Sequence, residues 1–293
     1  MRARIIGGAL LTAVALLGAC GGNDSTDRER MAVIERISYG LEPEQFGDLY
    51  LPEEPSDSDA SRLPLVVLVH GGFWRAPFTL ELMAPLANDL VSRGYSVWNI
   101  EYRRVGQPGG GYPGTFDDVA AAVDRLAALA EERRLDLDRV AIVGHSAGGH
   151  LALWVGQRER IPPGAPGSAP EVRMSLAIGQ APLPDLVAAH EQGVGGTAVR
   201  DLMGGAPDML PQAYEIASPA ALLPVAADQL LVHGDIDTIV PVSLSSDYAQ
   251  LVGGDQVTLL TFSGTDHFDV IDPTHESWTA VVDMLAERLG QPG

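Results

Sequence analysis

An unbroken apolar run at Leu65 to Val69 and a second at Val140 to Val143 set the reading of this chain. Such runs suit strands covered on both faces. Mixed runs at Tyr95 to Tyr102, Met174 to Ile178, Gln229 to Val232 and Val257 to Phe262 predict further strands. Between them the apolar positions change to helical spacing. Leu82, Leu86 and Leu90 mark one helix, opened by Thr79 as its cap and closed by Gly94. Asp117 and Asp118 open a longer one that ends near Arg134, with acids at its positive end and bases at its negative end. Others are expected directly after Gly148, from Ser243 to Val252 and from Pro273 to Leu289. Glu35 to Pro52 instead alternates, with Ile37, Tyr39, Leu49 and Leu51 apolar, as a pair of antiparallel edge strands does. Strands and helices taking turns in this way predict an α/β fold, a doubly wound, mostly parallel sheet of about eight strands. In such a sheet the ligand site lies at the carboxyl ends of the strands.

The interruptions divide the chain. Residues 21–30, Gly-Gly-Asn-Asp-Ser-Thr-Asp-Arg-Glu-Arg, hold no apolar residue and read as a tether, so the folded domain is placed at 32–293. Pro52 to Arg62 and Ile161 to Pro170 read as polar or Pro/Gly-rich loops. Residues 182–223 have the weakest core signal: short helical pieces separated by Gly195-Gly196, Gly204-Gly205 and prolines. They predict a small cap or a set of loops over the site.

Chemistry concentrates at Val140 to Leu153, where strand, Gly144-His145-Ser146-Ala147-Gly148 and apolar helix follow without a break. Glycines on both sides of Ser146 leave no Cβ to collide with neighbouring backbone, so the serine can occupy a strained turn with its hydroxyl exposed. The helix start beyond it offers N–H groups to an oxyanion. A serine hydroxyl needs a base, and the base needs an orienting group. Of seven histidines, His70 and His233 end strands and read as packing or loop-bracing residues. His145 sits on the elbow pointing away from the hydroxyl, His150 lies on the helix, His190 falls in the cap and His275 opens the last helix. His267, in the loop after the last strand, is the expected base. Asp237, in Asp-x-x-Val-Pro after the Gln229 strand, is the expected acid, with Asp235 as the fallback. After the Leu65 strand, His70-Gly71-Gly72-Phe73-Trp74 brings paired glycines whose N–H groups can turn into a cavity.

Composition narrows the function. The 19 basic and 39 acidic residues leave a net charge of −20, which argues against nucleic acid or anionic lipid as a partner of the folded domain. One cysteine, Cys20, excludes an internal disulfide, a thiolate metal site and a cysteine nucleophile in the domain. No paired histidine spacing on a helix points to a metal, and no cofactor is expected. At the N-terminus, Arg2 and Arg4 precede an apolar run from Ile5 to Leu17 and small residues before Cys20, a signal peptide over 1–19. That run is too short to span a bilayer comfortably. Leu17-Gly18-Ala19-Cys20 resembles the lipobox of bacterial lipoproteins, which implies acylation of Cys20 and an exported, envelope-anchored protein. The alternative is an ordinary cleaved signal and a secreted protein.

From Ile37 onward these residues resemble the α/β-hydrolases, with the order Ser, Asp, His of that group. Gly144 to Gly148 stands as nucleophile elbow and His70-Gly71-Gly72 as oxyanion loop. His70 to Trp74, in the form H-G-G-x-W, is similar to kynurenine formamidases and to the esterase branch of bacterial feruloyl and acetyl esterases. So is the run Tyr39-Gly40, Gln45 and Leu49-Tyr50-Leu51-Pro52. The resemblance implies oxyanion donors at Ala147 and at Gly72 or Phe73; Trp74 is read as lining the acyl pocket or, as an aromatic beside a glycine turn, as a packing residue. It implies a serine hydrolase that acts on a small-molecule carboxylic ester through an acyl-enzyme. An arylformamidase-like amidase, a prolyl-oligopeptidase-type peptidase and a non-catalytic binding protein on the same fold are the alternatives.

Overall fold

The computed structural model describes residues 33–52, 62–76 and 78–292. The expected signal peptide, Cys20 and the tether lie outside the described residues.

Leu63–Val69 (β3) and Leu135–His145 (β5) form the centre of one eight-stranded sheet. Val33–Ser38 (β1), Phe46–Leu51 (β2) and Ser96–Ile100 (β4) extend it on one side. Leu176–Gln180 (β6), Asp228–Gly234 (β7) and Val257–Phe262 (β8) extend it on the other, in the order β1-β2-β4-β3-β5-β6-β7-β8. β1 and β2 pair antiparallel, as does β2 with β4; all other pairings are parallel.

The continuous apolar runs follow from burial on both faces. Leu65, Val67 and Val69 of β3 and Val140 and Ile142 of β5 enter the larger core, while Val66, Leu68, Ala141 and Val143 enter the other. Ala84–Ser92 (α1) and Glu276–Leu289 (α8) close the smaller core. In α8, Trp278, Val281, Val282, Leu285 and Leu289 make the stripe that a 3.6-residue repeat presents to a sheet. Gly114–Arg133 (α2), Ala147–Gly156 (α3) and Val242–Val252 (α7) cover the opposite face.

Residues 182–223 form Leu186–Glu191 (α4), Ala198–Met203 (α5) and Pro211–Ala217 (α6) between β6 and β7. Leu186, Val199, Leu202 and Tyr214 are buried in the larger core. Helices of six or seven residues are too short to display a periodic stripe, which is why the segment read as poor in core residues. Two local readings change. Thr79 precedes a 3-10 turn at Leu80–Met83 without bonding to it through its side chain. Asp118 is buried and accepts from Gln45 Nε2 at 2.7 Å and Arg103 Nη2 at 2.6 Å, so it binds two segments together rather than complementing a dipole. Among the described residues no helix is long and apolar enough to cross a membrane.

Candidate active site

Ser146 stands between the end of β5 and the start of α3 with φ 54° and ψ −118°, a conformation that costs a non-glycine residue energy and is held only by close surroundings. Its N–H donates to Gln180 O at 2.7 Å and its carbonyl accepts from His150 N at 3.0 Å. A Cβ on Gly144 would come within 2.0 Å of Gly148 O, and one on Gly148 within 2.2 Å of Val69 O. Glycine at both positions is therefore a packing requirement of the turn.

The loop after β3 runs beside the elbow: a Cβ on Gly71 would lie 3.1 Å from Ser146 Cβ. Gly72 has φ 109°, and Phe73 and Trp74 follow at φ 51° and 55°. This strained turn is held by Arg75 N donating to Gly72 O at 3.0 Å and Val105 N to Trp74 O at 2.8 Å. Beneath it, His70 is fully buried, stacked on Tyr102 with ring centroids 4.4 Å apart, and its Nε2 is 2.9 Å from Glu101 Oε1. Burial works against charge on Glu101, yet the His70 bond and nearby Arg104 hold its carboxyl below the usual range. Neither Glu101 nor Arg104 carried a signal in the sequence, since their partners come from other segments.

Trp74 does not line the pocket. It is fully buried, and its Nε1–H donates to Ala147 O at 3.1 Å. The indole thus ties the His70 to Trp74 loop to the start of α3 from behind. Phe73 keeps partial exposure, and its ring lies against Gly195 between α4 and α5. Ala147 opens α3, so its N–H has no acceptor within the helix.

Asp237 and His267 come together: His267 Nδ1 is 2.6 Å from Asp237 Oδ2. The other oxygen, Oδ1, accepts from Ile239 N and Val240 N, each at 2.8 Å. His233 approaches Oδ2 at 3.3 Å and donates from Nε2 to Val240 O at 2.9 Å, while its Nδ1 lies 2.8 Å from Ser245 Oγ. Burial opposes ionisation of Asp237, but the bonds from His233, His267 and Val240 outweigh it and hold the carboxyl well below the ordinary carboxylate range. Asp235 bonds instead to Ser263 Oγ at 2.9 Å and Gly264 N at 2.6 Å, tying the loop after β7 to the start of the loop after β8. The loop that carries His267 returns to the turn at Ser146, where the rings of His267 and His145 are 4.7 Å apart. Among the described residues Ser146 Oγ has no hydrogen-bond partner. His150 is buried within α3, and His275 caps α8 by accepting from Ser277 N at 3.2 Å. Among the described residues no cluster of His, Cys, Asp or Glu is arranged to hold a metal ion.

Residues 48–251 match the model of the BD-FAE family. This chain belongs to the BD-FAE family. Its likeness to solved structures establishes an α/β-hydrolase fold: a truncated carbohydrate esterase from gut microbiota superposes with a TM-score of 0.72 at 19% identity, over 90% of this chain and 98% of that one. Among curated proteins, this BD-FAE chain is 26% identical over 253 residues to a probable isoprenylcysteine alpha-carbonyl methylesterase of Oryza sativa subsp. japonica. That similarity covers 81% of this chain but spans only 58% of the methylesterase. It is 23% identical over 266 residues to the kynurenine formamidase of Drosophila melanogaster, covering 86% of this chain and 80% of the relative.

Proposed function

We propose that this BD-FAE member is a serine hydrolase that cleaves a carboxylic ester through an acyl-enzyme. The observation that carries the reading is the 2.6 Å bond between Asp237 and His267, with that imidazole packed on His145, the neighbour of Ser146. His267 Nε2 takes the proton of Ser146 Oγ as the oxygen attacks the carbonyl carbon. The resulting oxyanion accepts from Ala147 N–H and from Gly72 or Phe73 N–H. The imidazolium returns its proton to the leaving alkoxide, and water repeats the sequence to free the acid. The bond between Oγ and Nε2 forms with substrate in place, as catalytic hydrogen bonds often tighten on binding.

The relationship to a methylesterase supports an ester substrate. The relationship to a formamidase favours a second reading, hydrolysis of an N-formyl amide by the same residues. Hydrolysis of acetyl, feruloyl, formamide and peptide substrates by the domain from Met31 separates these readings. Fluorophosphonate labelling that is lost in Ser146→Ala is the expected result; labelling that survives it removes Ser146 as nucleophile. We also infer export and acylation at Cys20, which incorporation of labelled fatty acid by the full chain, lost in Cys20→Ser, would test.

A further inference from the structure

β8 is the edge strand of the sheet, and β7 and β6 separate it from β5. Neighbouring strands lie about 4.8 Å apart, so the end of β8 stands roughly 14 Å from the elbow. The loop that carries His267 must cross back over that distance. Two side chains at the ends of inner strands hold its main chain. Gln180, on β6, donates from Nε2 to Val270 O, and His145, on β5, meets His267 O with its Nε2 at 2.9 Å. A carbonyl oxygen only accepts, so His145 carries its proton on Nε2 and a lone pair on Nδ1. That Nδ1 is buried and without a partner. Among the described residues the carbonyl of His267 is therefore the one hydrogen-bond partner of this ring.

We propose that His145 is a positioning residue, whose Nε2–H grips the main chain of His267 and fixes where its imidazole stands relative to Ser146. The inference rests on the catalytic reading of Ser146 and His267 given above. Packing alone does not account for a histidine here, because an apolar ring of the same size would fill the space without burying an unpartnered nitrogen. Its contacts point the same way: besides His267 at 4.7 Å, the ring lies 5.8 Å from that of Phe268, the next residue of the loop. Burial, with His267 nearby, pushes its pKa down to about 3, so the ring stays neutral and the grip persists through the neutral range. Asp237 and His233 are the other titratable groups that act on it.

The test compares wild type, His145→Leu and His145→Gln. Melting temperature, kcat and KM on a nitrophenyl ester, and the rate of fluorophosphonate labelling at Ser146 are read for each. Leucine removes the donor; the amide of glutamine can reach the same carbonyl. Displacing a catalytic group by about 1 Å costs on the order of a hundredfold, so H145L is expected to lose about that factor in kcat and labelling rate, with KM within about threefold and H145Q recovering to within about tenfold of wild type. Where H145L does not fold, His145→Met supplies the same contrast with a more adaptable side chain. Wild-type kcat in a folded H145L or H145M overturns the proposal. So does an H145Q that melts like wild type and is as slow as the leucine variant. A wild-type protein that fluorophosphonate does not label removes the catalytic reading itself, and this inference with it.

Discussion

His267 Nδ1 is 2.6 Å from Asp237 Oδ2, and the carboxylate side chain that accepts it is fully buried. The distance is short for a bond between nitrogen and a carboxylate, as expected where one partner is charged and water is excluded. With its other oxygen held by the N–H groups of Ile239 and Val240, the carboxylate is fixed on both sides. It orients the imidazole and selects the tautomer with a free Nε2.

The first prediction follows directly. Asp237→Asn replaces one acceptor by a donor and favours the wrong tautomer, so kcat on a nitrophenyl ester is expected to fall by about 10⁴. Asp235→Asn disturbs only the Ser263 to Gly264 turn and should leave kcat within about threefold, as surface substitutions do. Equal losses in the two variants would mean that the orienting carboxylate has been misassigned.

A second prediction concerns acid stability. His150 is buried, which is the main reason its pKa is pushed down to about 4; its bond to Ala217 O, at 2.8 Å, acts in the opposite direction. The unfolded chain takes up a proton below pH 6.5, while the folded chain refuses it until about pH 4. More protons bound in the unfolded state means that stability falls as pH falls through this window, by about 1.4 kcal/mol per pH unit for this residue. His150→Gln keeps a donor to Ala217 and cannot titrate. Between pH 6.5 and pH 5 its stability in urea is expected to decline by about 2 kcal/mol less than that of wild type. Parallel declines would show that His150 does not contribute to the acid response.

These examples separate what the chain discloses locally from what it does not. β8 coincides with the mixed run Val257–Phe262, and β4 is shorter than the run from Tyr95 to Tyr102, whose two tyrosines are buried outside the ladder. That Asp237 meets His267 beside the Ser146 turn was legible, because each of the three stands just past a strand whose composition declares it. Glu101, Asp118 and the role of His145 were not. Glu101 meets His70 from 31 positions away, Asp118 meets Gln45 from 73, and His145 grips a carbonyl 122 residues distant. A polar residue's partner across the fold leaves no periodic trace in sequence. Trp74 stood between two roles for a related reason: its place beside a glycine turn was visible, but the acceptor that draws its indole inward, Ala147 O, was not.

A third prediction addresses the helices between β6 and β7. Arg75, two residues beyond Phe73, donates from Nη2 to Asp201 Oδ2 at 2.6 Å and to Thr197 Oγ1 at 2.9 Å, joining the loop after β3 to α5. The hydrogen bond from Thr197, then that from Arg75, keeps the Asp201 carboxyl below its ordinary range. Both ion-pair side chains are about one-third exposed, at 34% and 33%, so solvent screens most of the attraction. Asp201→Asn is expected to cost no more than about 1 kcal/mol of stability. Because the loop also carries Phe73, the KM of this variant should rise by about threefold or more while its melting temperature falls by no more than about 4 °C. An unchanged KM would show that this tie does not reach the substrate.

The last prediction comes from an uneven distribution of charge. Residues 174–293 hold sixteen acidic side chains and two arginines, Arg200 and Arg288. Arg288 is paired with Asp228 at 2.5 Å, and Arg200 lies 4.0 Å from Asp201. This stretch supplies both Asp237 and His267. Around them Asp235 accepts from Ser263 and Gly264 of the neighbouring loop, Asp266 and Asp269 accept from the main chain of their own, and among the described residues none has an arginine partner. Between these carboxylates stand exposed apolar side chains: Ile236, Ile239 and Phe268. Such a rim favours an uncharged ester over an anionic one of the same shape. For a neutral nitrophenyl acetate against a nitrophenyl hemisuccinate, the ratio of kcat/KM is expected to exceed about tenfold at an ionic strength near 0.01 M and to shrink towards about 1 M, as the Debye length contracts from about 30 Å to about 3 Å. Asp266→Asn, one residue from the base, should lower the ratio at low salt and leave it unchanged at high salt. A ratio that is flat with salt in both proteins would assign the discrimination to the shape of the site instead of its field.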